Sequence, residues 1–139
     1  MNEDISALLS NIKRTAPVSD TSLAKLHTQL GTTLPPSYED FFRFSNGIEG
    51  FINKDFYLAL WPVEKLVTNN QGYSVDEFAP GLFLIGSDGG DEAYGLDLRP
   101  GSATYGYFVN VPFIGMDWQE SRLLGATFTD FLKTLKEKP

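Results

Sequence analysis

The sequence predicts an α+β fold: a central antiparallel sheet, a meander around a hairpin at 82–98, packed by N-terminal helices and a C-terminal helix. Three observations carry this. Apolar residues recur with helical spacing before residue 46 and after residue 127. Between 56 and 109 they alternate, or run together between turn residues, as strands do. Helices segregated in the chain from such a sheet make an α+β domain of two layers. A chain of 139 residues has the size of one domain, 1–139. At that size it buries roughly 70% of its unfolded surface and needs no disulfide or metal to hold together.

The first helix is read from Ile5, Leu8, Leu9 and Ile12, which share one face. Glu3 and Asp4 suit its positive end, Lys13 and Arg14 its negative end, and Pro17 stops it. Ser19 or Asp20 can cap a second helix with Leu23, Leu26 and Leu30 on one stripe and Gly31 as its stop. A third follows Leu34-Pro35-Pro36, where proline is tolerated in the first turn; Tyr38, Phe41, Phe42 and Ser45 share its face and Asn46-Gly47 ends it. Glu39 and Arg43 form an i, i+4 pair on it.

Phe56, Leu58 and Leu60 then alternate as a strand, and Pro62 to Phe78 reads as a helix or a structured connection. The hairpin comes next. Leu82 to Ile85 run into Gly86-Ser87-Asp88-Gly89-Gly90, and Tyr94, Leu96 and Leu98 alternate with Ala93, Gly95 and Asp97 on the return, giving one face fit to bury. Arg99-Pro100-Gly101-Ser102 suits a type II turn into a strand at Thr104–Val109. Val111–Leu124 reads as irregular. Thr127 with Asp130 resembles a capping box for a last helix with Phe128, Phe131, Leu132 and Leu135 on one stripe and Lys133, Lys136 and Lys138 towards its end.

Charge and composition exclude several chemistries. The net charge is −7, and no basic residue lies between Lys65 and Arg99, where Asp76, Glu77, Asp88, Asp91, Glu92 and Asp97 all fall. Nucleic acid and anionic membrane surfaces are disfavoured as partners; a cationic protein is compatible. The absence of cysteine removes thiolate catalysis, disulfides and Cys-based zinc sites. The single histidine, His27, borders an apolar stripe and reads as a packing or edge residue. No nucleotide-binding glycine motif is present. Counted from Asp88 as a calcium loop, position 6 is Ala93 and position 12 is Arg99, so that template fails. No cofactor or metal is expected. The N-terminus lacks a basic, then apolar, leader pattern, and no stretch is long enough to span a bilayer, which leads to an expectation of cytoplasmic location.

Three stretches, in order, resemble the SUKH superfamily, which includes the yeast cell-wall synthesis regulators of the Smi/Knr type. They are Leu34-Pro35-Pro36-Ser37-Tyr38-Glu39-Asp40-Phe41-Phe42 running to Ser45-Asn46-Gly47, Leu84-Ile85-Gly86-Ser87-Asp88-Gly89-Gly90-Asp91 running to Tyr94-Gly95-Leu96-Asp97-Leu98, and Thr127-Phe128-Thr129-Asp130-Phe131-Leu132. The resemblance implies a binding module rather than an enzyme. Many bacterial relatives look like immunity proteins that bind and neutralise a toxin, often a cationic nuclease. The alternatives are a regulatory scaffold for a housekeeping protein, or an enzyme or calcium-binding protein using the loop carboxylates. The expected partner-binding residues are read from this sequence alone: Asp88, Asp91 and Glu92 at the acidic hairpin tip, then Glu49, Trp61, Asp117 and Trp118, because aromatics beside acids suit an interface.

Overall fold

The computed structural model describes residues 3–137, the Glu3 side chain excepted, so the end-of-helix roles expected of Glu3 and Lys138 lie outside the described residues. Its core is one six-stranded antiparallel sheet in chain order: β1 (Ile48–Phe51), β2 (Tyr57–Leu60), β3 (Leu82–Ser87), β4 (Glu92–Asp97), β5 (Phe108–Pro112) and β6 (Arg122–Gly125). Six α-helices accompany it: α1 (Glu3–Leu8), α2 (Asp20–Leu30), α3 (Pro36–Phe44), α4 (Val63–Gly72), α5 (Val75–Phe78) and α6 (Phe128–Lys136). This is the α+β meander the sequence predicts. The outer strands β1 and β6 escape a reading based on alternation. Each is four residues long and partly exposed, so neither carries a full apolar pattern.

One sheet face is buried by α1, α3 and α6. Leu58, Leu60, Phe83, Ile85, Tyr94, Leu96 and Phe108 meet Ile5, Tyr38, Phe41, Phe42, Phe128, Phe131 and Leu135 in a single apolar cluster. Aromatic rings dominate it: Tyr38 lies 4.8 Å from Phe42, Phe41 5.0 Å from Phe128, and Phe131 stacks on Phe108 at 5.3 Å. Side chains also tie the helices together. Thr127 caps α6 by accepting from the Asp130 N–H, and Ser37 at the start of α3 accepts from the Phe128 N–H at 2.9 Å. His27 on α2 places Nε2 2.7 Å from Glu39 Oε1 on α3.

Asn46-Gly47 does more than end α3. Asn46 Oδ1 accepts from the Val63 N–H at the first turn of α4, and its Nδ2 donates to Glu64. A Cβ at Gly47, with φ +79°, would sit 2.7 Å from Pro62 N, so only glycine permits this approach.

The other sheet face departs from the two-layer expectation. Leu82, Leu84, Ala93, Val109 and Val111 are covered by Val75 of α5, by Ala79 just after it and by Met116 in a second apolar cluster. The hairpin β3–β4 is therefore buried on both sides along almost its whole length. The cause is in the sequence: four consecutive large apolar residues in β3 cannot all face one way. A bulge between Leu84 and Gly86 shifts the register between the two strands.

β2 accompanies β3 only at Ala59–Ser87 and Leu60–Gly86, after which the chain turns into α4. Asn70 of α4 takes the vacated place. Its Oδ1 accepts from the Leu84 N–H at 2.7 Å and its Nδ2 donates to the Leu84 carbonyl at 2.9 Å, as a neighbouring strand would.

Two further expectations are corrected. α1 stops at Leu8 and the chain continues in turns, so Lys13 and Arg14 do not sit on its last turn; Leu9 and Ile12 are buried regardless. The strand expected at Thr104–Val109 runs instead over Phe108–Pro112. Asp97, fully buried at the end of β4, explains the shift. It accepts from the Arg99 N–H and guanidinium and, at 2.6 Å each, from the Ser102 and Thr104 hydroxyls. Ser102 and Thr104 are thereby pinned in a compact loop, and the type II turn at Arg99–Ser102 forms as expected, with its Ser102 N–H donating to the Arg99 carbonyl. Burial pushes the Asp97 carboxyl up, but the hydrogen bonds from Arg99, Ser102 and Thr104 outweigh it and hold the group well below the usual carboxylate range.

Because that folded pKa is depressed, its stabilisation is present above the ordinary aspartate value and lost as pH falls towards the folded one. Asp97→Asn is expected to lower stability at pH 7 by about 2–3 kcal/mol. The gap from wild type should narrow below about pH 4, where the unfolded carboxyl begins to protonate; denaturant melts across pH 2–7 measure it. Asn70→Ala leaves two buried backbone groups of Leu84 unpartnered and should cost about 2 kcal/mol in the same assay. The Tyr38 hydroxyl is buried without a hydrogen-bond partner among the described residues. Tyr38→Phe is therefore expected to keep stability or raise it by about 1 kcal/mol.

Candidate protein-binding site

The turn between β3 and β4 is exposed at Gly89, Gly90 and Asp91, while Asp88 and Glu92 are half-buried. Its shape is set by Asp88, whose Oδ1 accepts from the Gly90 N–H at 2.8 Å and the Glu92 N–H at 3.3 Å. Gly89, at φ +84°, lies against the ring of Tyr57: a Cβ there would come within 2.7 Å of Cδ2. The Asp91 carbonyl accepts from the Phe113 N–H, fastening the tip to the chain leaving β5.

The three tip acids thus differ in role. Asp88 shapes the loop. Glu92 shares the helix-side face with Tyr94 and accepts from Asn110 Nδ2 at 3.1 Å, so its charge is engaged within the sheet. Asp91 presents an exposed carboxylate at the turn. Burial first, then the carboxylates of Asp88 and Glu92, push the Tyr94 hydroxyl far up its titration range.

Glu49 is exposed on β1, and its Oε2 accepts from the Tyr57 hydroxyl at 2.6 Å. That bond raises the Tyr57 pKa, with slight desolvation and the Glu49 charge adding to it. Register puts Glu49 opposite Ala59 and Ala59 opposite Ser87, so Glu49 stands on the sheet face away from α3 and α6. Trp61 continues that face just beyond β2 and stacks on Tyr73 at 6.2 Å and 12°. Tyr73 in turn meets Phe113 at 4.8 Å. The structure therefore brings the tip, Glu49 and Trp61 to one end of the sheet, Glu49 and Trp61 on the face away from α3 and α6 and Glu92 on the helix side.

Asp117 and Trp118 are elsewhere. Trp118 donates Nε1–H to the Pro80 carbonyl at 2.8 Å and lies under the Arg99 guanidinium at 3.7 Å, at the opposite end of β3–β4. Six strand residues separate the ends by roughly 20 Å. Asp117 caps the short 3-10 turn Trp118–Glu120. Trp118 packs this segment, Asp117 is exposed at its start, and both stand apart from the tip.

Sequence reasoning missed the exposed neighbours of the site: Phe51, 54% exposed, and Ile114, 90% exposed. Phe51 was hidden because β1 itself was unreadable; for Ile114 the signal was an isoleucine among loop residues, Phe113 to Gly115.

The clefts lie away from this region. Two, of about 500 and 510 Å³, run between α2 and α4 and share Gln29, Val67 and Gln71. The first is lined by one carboxylate, Asp76, and the second by one, Glu64, so neither gathers an acid–base pair. Among the described residues no group of three or more His, Cys, Asp or Glu is placed to hold a metal ion, and no helix is long and apolar enough to cross a membrane.

No curated protein sequence matches the chain. The profile of the SMI1 / KNR4 family (SUKH-1) matches residues 17–134, which covers α2 to α5, all six strands and most of α6, and with them the Leu-Pro-Pro helix, the Gly-rich hairpin and the capped start of the last helix. The chain belongs to the SMI1 / KNR4 family (SUKH-1).

Proposed function

We propose that this protein is a non-catalytic binding module, an immunity protein of a single domain over 1–139 that neutralises a cognate toxin in the cytoplasm by a stoichiometric protein–protein complex. Family membership supports the reading, since bacterial members of the superfamily are commonly of this kind. The observation that carries it is the acidic, solvent-facing tip of β3–β4, held rigid by burial on both sheet faces and by Asp88 within the turn. A rigid element gives up little entropy on binding. Its charge, within a chain of net −7, suits a cationic partner such as a nuclease and would speed the encounter. Asp91 is the tip residue best placed for steering, because Asp88 and Glu92 have internal partners.

The test is titration with the product of the adjacent gene, with growth of cells producing that product alone or with this protein. A one-to-one complex and restored growth are the expected results; no complex at micromolar concentration contradicts the reading. Asp91→Lys should slow association about tenfold at low salt and flatten its salt dependence, leaving dissociation nearly unchanged. Stopped-flow association rates measure it.

A further inference from the structure

We infer that the uncovered β1–β2 half of the sheet face away from α3 and α6 is the surface on which the arginine side chains of a cationic protein dock; this deepens the reading above and rests on it. The register of β1 and β2 puts Glu49, Phe51, Tyr57 and Ala59 on that face, with Trp61 next along the chain and Ser87 beside Ala59. Over β3 to β5 the same face is closed by Val75, Ala79 and Met116, and that cover does not extend to Phe51, Tyr57 or Ala59. The result is an aromatic band at the margin of that cover, open to solvent at Phe51 and Tyr73 and half-buried at Tyr57, Trp61 and Phe113, the last two packing on the second cluster. Phe51 and Tyr57 meet edge to face at 5.2 Å, and Tyr73 bridges Trp61 and Phe113. Phe51 is 54% and Tyr73 46% exposed, unusual for rings that could have been turned inward.

The chemistry of the band selects its partner. Glu49 lies within it, fixed by the Tyr57 hydroxyl, and Asp88 and Asp91 border it where Gly89 touches Tyr57. Asp55 and Lys54 share the β1–β2 turn, and Lys65 lies on α4; acids otherwise prevail around the band. An aromatic face beside a fixed carboxylate suits a guanidinium, which stacks on the ring and donates in plane to the oxygens; an ammonium does this less well. The molecule already holds one guanidinium in this manner: Arg99 lies over the Trp118 ring at 3.7 Å while donating to Asp97 at 2.9 and 3.1 Å. The band offers the same two elements to a guanidinium from outside. Aromatic and arginine anchors of this kind carry most of the affinity in protein interfaces.

Two measurements test it. Amide chemical-shift mapping of the ¹⁵N-labelled protein with millimolar N-acetylarginine amide is expected to perturb residues 49–61, 73, 89–91 and 113 most, with shifts several-fold smaller for the capped lysine. Shifts centred on the α2–α4 clefts, spread evenly over the acidic residues, or equal for lysine would overturn the inference. In the second arm, Phe51→Ala and Tyr73→Ala, both exposed and checked for unchanged thermal melts, are titrated with the product of the adjacent gene. An affinity loss of tenfold or more for each supports this surface. Wild-type affinity for both contradicts it and leaves the immunity reading standing. If wild type forms no complex, the immunity reading falls, and the shift map alone decides the surface.

Discussion

The burial of β3–β4 on both faces is the constraint from which the rest of the structure follows. Tyr94, Leu96, Phe83 and Ile85 face α3 and α6; Leu82, Leu84 and Ala93 face α5 and Met116. A strand pair sealed on both sides cannot slip, since a one-residue shift would exchange every side chain between two occupied faces. The strands outside it have more freedom. β2 leaves β3 after two paired residues, Asn70 replaces it, and β1 with β2 extends past the cover of the second face. The same packing that fixes the hairpin tip thus leaves an open sheet surface beside it.

The three family-like stretches meet one another physically. Ser37 of the first bonds to the start of α6 in the third. Asn46-Gly47 of the first anchors α4, whose Asn70 closes the edge of the second. Tyr94 of the second packs edge to face on Phe131 of the third at 5.4 Å. Such mutual support, in which each local signal agrees with the global arrangement, is what lets one sequence specify one fold.

The legible parts of the chain were those whose signal is local. The cap of α2 by Ser19, the Gly31 stop, the Leu-Pro-Pro start of α3, the turn at Arg99–Ser102 and the stripe of α6 are each set by residues within a turn of one another. β1 and β6 were not legible because a four-residue edge strand takes its pairing from a distant neighbour. The second apolar layer was foreshadowed by Leu82 to Ile85, four apolar residues in a row, but which segment would cover them is a tertiary matter. At the candidate site, the tip acids and Glu49 with Trp61 were named from composition and do lie at one end of the sheet. Trp118 was named on the same grounds and lies at the other end, held by Arg99 and Pro80. An aromatic beside acids looks the same in sequence whether its neighbour is an internal cation or open water.

In this arrangement the open β1–β2 face lies on the side of the sheet away from α3 and α6, and the acidic tip borders it. Hydrogen exchange, followed by mass spectrometry on the free protein and on the protein mixed with the product of the adjacent gene, compares that face with the helix side directly. Slowed exchange at residues 49–61 and 88–91 with α6 unchanged is the predicted outcome. Protection confined to α6, or to the α2–α4 clefts, with none on the open sheet face, would contradict the account.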